Sequence, residues 1–230
     1  MSHDVRWGGF AGAGAVVLVV ASRLIEGSAP GIDASPETIT AYVVDHRDQI
    51  LVASVLFAAA MPLVVWFGAT LAAIFRRAGS TGVLPALVLA GFAVLATLGV
   101  VVTSILAGMT YAVTAHPTLQ PMTAAPFTAL TIAGTIAGVV SALPLAASAM
   151  AILQTAAFPR WLAWLALAAA TARVLGAFAV GGTGALLPGG LLVSYVPAVL
   201  ALVWVVSTTA LLIREHLPVI TAATQPLRHA

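Results

Sequence analysis

The chain has 230 residues, 61% of them hydrophobic and 7% charged, with a formal net charge of +2. Water-soluble domains carry roughly 25% charged residues, so this composition excludes a protein that faces water on all sides. A charge this small and dispersed excludes a nucleic-acid footprint, and the absence of cysteine excludes disulfides, thiolate metal sites and cysteine nucleophiles.

In chain order, a short segment containing Arg6 precedes the apolar run Gly8–Leu24. A signal peptide has a similar profile, and Ala21-Ser22-Arg23 is a weak cleavage-like patch. The rest of the chain is equally apolar, so the expectation is a retained first span over 7–25. Next comes Glu26–Asp48, the one long polar connection. Within it Ser35 can cap a helix, Pro36 suits the first helical position and Glu37 complements the helix dipole. This predicts a short amphipathic helix over 36–48, bent where it enters the second span. At helical spacing Ile39, Val43, His46 and Ile50 share a face, while Glu37, Asp45 and Asp48 point elsewhere. His46 is therefore expected to face the bundle or the lipid surface.

Further apolar runs predict spans over 49–75, 83–113, 126–156, 161–180 and 195–213. At 1.5 Å per residue these cross, or nearly cross, a hydrocarbon layer of roughly 30 Å. Pro62 and Pro144 fall inside spans and predict kinks, which helix neighbours can accommodate. The fold class that follows is all-α: a polytopic membrane protein, one membrane domain over 1–230, with six transmembrane helices and a short external helix between the first two.

With six alternating spans, Arg6, Arg76, Arg77, Arg160, Arg214 and Arg228 fall on one side, so both termini are expected in the cytoplasm of a cell-membrane protein. Trp7, Trp161 and Trp164 would mark that interface, and Tyr42, Tyr111 and Tyr195 the opposite one. Five acids, Glu26, Asp33, Glu37, Asp45 and Asp48, gather on the outer side.

Arg173 is the sharpest functional pointer. It lies 13 residues beyond Arg160, ~20 Å along a helix, in an otherwise uncharged span. A guanidinium at that depth is costly and is usually given a partner or a polar cavity. Three readings are open. Arg173 and Arg23 could meet Glu26, Asp45 or Asp48 as a structural ion pair tying the external helix down. They could line an outward cleft that binds a ligand, with Glu26, Tyr42 and Tyr111 in its wall. Arg173 could also simply snorkel. If the cleft is catalytic, His46, Asp45 or Asp48 would supply acid–base chemistry, as in an isomerase or cyclase acting on a lipophilic substrate. Whether the chain is an enzyme stays open.

Thr97, Ser104, Gly108 and Tyr111 share one face of the third span and suit either interhelical hydrogen bonds or the wall of that cavity. Gly8/Gly12 and Gly134/Gly138 have the spacing for close helix approach; Ser141 and Ser148 prolong the second stripe. These stripes allow the rival reading, a non-catalytic scaffold or homo-oligomer. No histidine spacing fits a metal site, and no cofactor is expected. The glycine-rich segment 181–190 lacks the strand and the Lys-Ser/Thr of a phosphate loop, and reads as a flexible or partly re-entrant turn.

Ser35-Pro36-Glu37, Asp45-His46-Arg47-Asp48, Leu63-Val64-Val65-Trp66-Phe67 and Arg76-Arg77 together resemble a widespread group of small actinobacterial membrane proteins, a six-helix family of unknown function. The resemblance implies fold and location and transfers no activity. Integral-membrane terpene cyclases are comparable in size but rely on carboxylates within helices, whereas the acids here are confined to the ends, so the match is poor. The partners expected are membrane lipids or a small lipophilic molecule, with no nucleic acid.

Overall fold

The computed structural model describes residues 2–80, 82–182, 184 and 187–214, with the backbone alone at 2–4 and 191. Arg228 and positions 183, 185 and 186 of the glycine-rich segment, which enter the expectations above, lie outside the described residues. Among the described residues six helices are long and apolar enough to cross a bilayer. They are α1 (Ser2–Glu26), α3 (Arg47–Arg77), α4 (Leu84–Ala115), α5 (Ala124–Thr155), α6 (Arg160–Phe178) and α7 (Val196–Ile213). The short helix α2 (Pro36–Asp45) stands between the first two, and no strand occurs among the described residues.

Most boundaries fall within two or three residues of the hydrophobic runs that predict them. α1 begins earlier than expected, because helical hydrogen bonding does not stop where the apolar run does. α2 is shorter than expected. It ends at Asp45, and His46 turns the corner into α3 with φ −105° and ψ 20°. The Ser35 side chain caps α2 by accepting a hydrogen bond from the Thr38 N–H, 3.3 Å away. Pro62 and Pro144 both lie inside continuous helices. A 3₁₀ turn, Pro117–Met122, fills most of the expected loop between α4 and α5. The connection between α6 and α7 holds a second 3₁₀ turn, Ala179–Gly181, and a π-helical turn, Leu191–Tyr195.

The spans form a closed circuit of contacts: α1 packs on α3, α3 on α4, α4 on α5, α5 on α6, α6 on α7, and α7 back on α1. Neighbours run antiparallel: Gly68 faces Phe92 and Gly99 faces Met61 between α3 and α4, and Gly9 faces Ile213 and Gly12 faces Thr209 between α1 and α7. Gly8 faces Thr70 and Gly12 faces Phe67 and Thr209, so a Cβ at either would collide with a neighbouring side chain. The Gly8/Gly12 stripe is therefore used inside the chain, holding α1 against α3 and α7. Arg6, Arg76, Arg77, Arg160 and Arg214 gather at one end of the circuit, the arginine end; α2 lies at the other.

The main core sits towards the arginine end. Phe67 meets Phe92 and Trp204 edge-on, at 5.7 and 6.3 Å between ring centroids. The fully buried Trp204 indole donates to the Leu162 carbonyl, 3.1 Å away. Packing thins towards the α2 end. No residue is fully buried between Thr128 and Ala137 on α5, nor beyond Ala170 on α6.

Candidate functional site

The α2 end is built by pinning α2 across the helix ends. Its buried face, Ile39 and Val43, packs with Phe127 of α5, and Met109 of α4 lies against the same cluster. The Thr40 hydroxyl lies 3.2 Å from the Gln120 carbonyl, and the Tyr42 hydroxyl donates to the Glu26 carbonyl at 2.9 Å. The Tyr42 ring stacks on His46 with 4.8 Å between centroids and meets Phe127 edge-on. Glu37 lies at the exposed start of α2, where backbone and Ser35 hydrogen bonds hold its carboxyl below the usual range.

Burial first, and then the negative Glu26, push the Tyr42 phenol from 10.0 to about 12, against an opposing pull from Arg23. Folding thus favours the neutral phenol. Its contribution to stability is complete below pH 10.0 and disappears as pH rises through about 12. Alkaline titration of phenolate absorbance should accordingly lose a transition near pH 12 in Tyr42→Phe. Superimposable curves for the two proteins would contradict this assignment.

The structure places the expected site residues in separate groups. Arg23 holds Glu26 at 2.6 Å, with its guanidinium carbon 5.5 Å from the centre of the Phe57 ring. His46 closes the α2–α3 corner, its Nδ1 3.1 Å from the Tyr42 carbonyl oxygen. Asp48 is bound by Arg47 at 2.7 Å. Asp45 is exposed and pairs with no described residue. Tyr111 is 60% exposed and lies under the Arg47 guanidinium, whose Nε donates to the Thr114 hydroxyl at 3.2 Å. The polar face of α4 turns outward. Thr97, Ser104, Gly108 and Tyr111 are all exposed, and the Thr97 hydroxyl bonds back to the Ala93 carbonyl of its own helix. That face makes no interhelical hydrogen bond.

Arg173 meets none of the three acids expected for it. Its side-chain Nε is sealed from solvent and has no hydrogen-bond partner among the described residues. The charged side chain that acts on it is Arg23, of like sign. The reason lies in α2 and the start of α3: with Ile39 and Val43 of α2 and Ile50 of α3 turned inward, Asp45 and Asp48 point out, and Glu26 is already taken by Arg23 of its own helix. Arg173 nevertheless stands on the interior side of α6, sharing a face with the buried Ala166, Ala169 and Ala170. Its backbone carbonyl lies against Gly138 of α5, where a Cβ would come within 2.9 Å. Gly134 is on the same face, one turn nearer the α2 end, and a Cβ there would meet nothing within 4 Å. Thus one half of the Gly134/Gly138 stripe is in close contact and the other borders open space.

Shallow hollows lie elsewhere on the described residues. One, of about 510 Å³, lies beside Arg76 and Pro85; the other, of about 340 Å³, lies between Trp7, Trp66 and Arg77. Both are at the arginine end, and neither includes Arg173. Among the described residues no group of three or more acids or histidines could hold a metal ion. Arg47 is the residue that sequence reasoning passed over, although its place beside Asp48, at the acidic end of the molecule, was visible. No family model, curated protein or solved structure matches the chain.

Proposed function

We propose that this is a multi-pass membrane protein that binds a small lipophilic molecule or lipid at the α2 end, gripping an anionic or carbonyl group with Arg173. The observation that carries this reading is the Arg173 guanidinium: interior-facing, with a sealed Nε that finds no hydrogen-bond partner among the described residues, and with the like charge of Arg23 acting on it. Buried cations are ordinarily paired, so an unpaired one invites an acceptor from outside the chain. Arg23 is the second donor. Its side chain is 65% exposed although it follows Gly12, Ala15 and Val19 along the interior side of α1, so it retains donor capacity beyond Glu26. The loose packing along α5 and the space beside Gly134 leave room for an apolar body.

Binding is favoured over isomerase or cyclase chemistry because two of the acid–base candidates are committed. His46 Nδ1 faces the Tyr42 carbonyl, and Asp48 is held by Arg47. The orientation proposed follows the arginines, with their end in the cytoplasm. Membership of the actinobacterial six-helix group remains a proposal resting on the motifs quoted for it.

The test is mass spectrometry of small molecules that co-purify with the protein, comparing wild type with Arg173→Met. An amphiphile bearing a carboxylate, phosphate or carbonyl should be retained by the wild type and depleted at least tenfold from the variant, a ratio equal to ~1.4 kcal/mol. Identical profiles would remove Arg173 from any binding role.

A further inference from the structure

The end of α3 carries two adjacent arginines, and each borders a hollow. Arg76 lines one with Pro85, Ala86, Leu89 and Ala90 of α4. Arg77 lines the other, between α3 and α1. The second is the more trough-like. Its floor is the place where Gly8 lets α1 settle onto Thr70, and Ala69 and Ala73 run along it. Trp7 and Trp66, 57% and 51% exposed, form its flat walls. Trp66 lies 11 residues from Arg77, about 16 Å along the helix and therefore near the middle of the bilayer. Tryptophan normally collects at the interfaces, so an exposed indole at this depth is out of place on a surface meant only for bulk lipid.

We infer that this trough is a binding site for an anionic glycerophospholipid of the surrounding leaflet, its headgroup on Arg77 and one acyl chain along Ala73 and Ala69 to Trp66. Charge decides the occupant. The hollow opens where the described arginines gather, a field that selects an anionic headgroup over a zwitterionic one. Length agrees, because the distance from Arg77 to Trp66 is about half the hydrocarbon thickness, the depth that a single acyl chain occupies. A guanidinium also suits phosphate geometrically, through paired N–H donors. This site is independent of the one proposed around Arg173, at the opposite end of the molecule.

Native mass spectrometry of the full chain, equilibrated with equal amounts of phosphatidylglycerol and phosphatidylcholine, tests the inference. Wild type should retain phosphatidylglycerol preferentially. Arg77→Ala should reduce that preference about fivefold, the effect of one basic residue near an anionic headgroup. Ala73→Phe, which fills the trough and leaves charge unchanged, should reduce it similarly. Arg160→Ala removes an exposed arginine that lines neither hollow and should leave the preference as it was. If Arg160→Ala matches Arg77→Ala, the lipid is attracted by the basic end in general and the site is overturned. An unaltered preference in Ala73→Phe, with helix content and monodispersity retained, overturns the trough as well.

Discussion

Replacing Arg173 with methionine is expected to make the ligand-free protein more stable. An unsatisfied guanidinium Nε in the interior of a membrane bundle, with Arg23 as the charge acting on it, is a net cost to the empty fold. Arginine in the middle of a spanning helix costs about 2.5–3.5 kcal/mol on insertion scales, and exchanging buried ions for apolar side chains of similar volume often gains ~1–4 kcal/mol. Methionine keeps much of the length and adapts to irregular space. A gain of about 2 kcal/mol would raise Tm by roughly 4–8 °C for a chain of this size. The ion-pair reading makes the opposite prediction, a loss of ~3–5 kcal/mol when one partner of a buried pair is removed. Thermal unfolding in one detergent, with co-purifying molecules stripped, separates the two by sign. If Tm falls, the guanidinium has a structural role and the binding proposal loses its basis. In the wild type, saturating ligand at one hundred times Kd should restore stability by ~2.7 kcal/mol, and it should do nothing for the variant.

The distinction between what could and could not be read from the sequence has a physical basis. Span positions were legible because run length against bilayer thickness is a local property, and the Ser35 cap because it needs only three neighbouring residues. The Arg23–Glu26 pair was legible as one turn of a single helix. The rotation of each spanning helix was not. In a bilayer both the lipid and the protein interior are apolar, so hydrophobic periodicity, which orients helices in water, says little about which side faces in. Thr97, Ser104, Gly108 and Tyr111 were correctly placed on one face, yet nothing local said that the face turns outward. The end of α2 at Asp45 was also beyond local reach. It depends on Tyr42 bonding Glu26 and on Ile39 and Val43 seating against Phe127, contacts that bring together three distant segments. That same placement sends Asp45 and Asp48 outward and leaves Arg173 without an acid. Its isolation, on which the functional proposal rests, could be found only from the folded chain.

The largest loss of stability should come from Trp204→Ala. Trp204 is fully buried, donates to the Leu162 carbonyl at 3.1 Å, and meets Phe67, which in turn meets Phe92. Through these contacts one side chain joins α7 to α6 and α3, and indirectly to α4, filling the interior of a circuit whose helices otherwise touch mainly their neighbours. Within a bilayer the loss is not one of hydrophobic transfer, since lipid tails are as apolar as the core. It is a loss of close packing, because atoms lining the vacated space lose their dispersion partners. By analogy with buried aromatics in soluble proteins, truncation costs ~3–5 kcal/mol. Trp204→Phe keeps much of the ring and removes only the indole hydrogen bond to the Leu162 carbonyl, at about 1 kcal/mol. Trp164, 64% exposed, provides the comparison: Trp164→Ala should change little, because lipid replaces what the indole touched. Unfolding midpoints for the three variants in one detergent should therefore fall steeply for Trp204→Ala, slightly for Trp204→Phe and hardly at all for Trp164→Ala. Equal effects for the two alanine variants would mean that the aromatic layer does not hold the helices together. The layer's position matters for function too. Leu162 lies 11 residues from Arg173, about 16 Å along α6 towards the arginine end, so the packed rings form a floor beneath the unpaired guanidinium. A molecule bound to Arg173 would enter from the α2 side or from the bilayer between helices, and would rest on that floor.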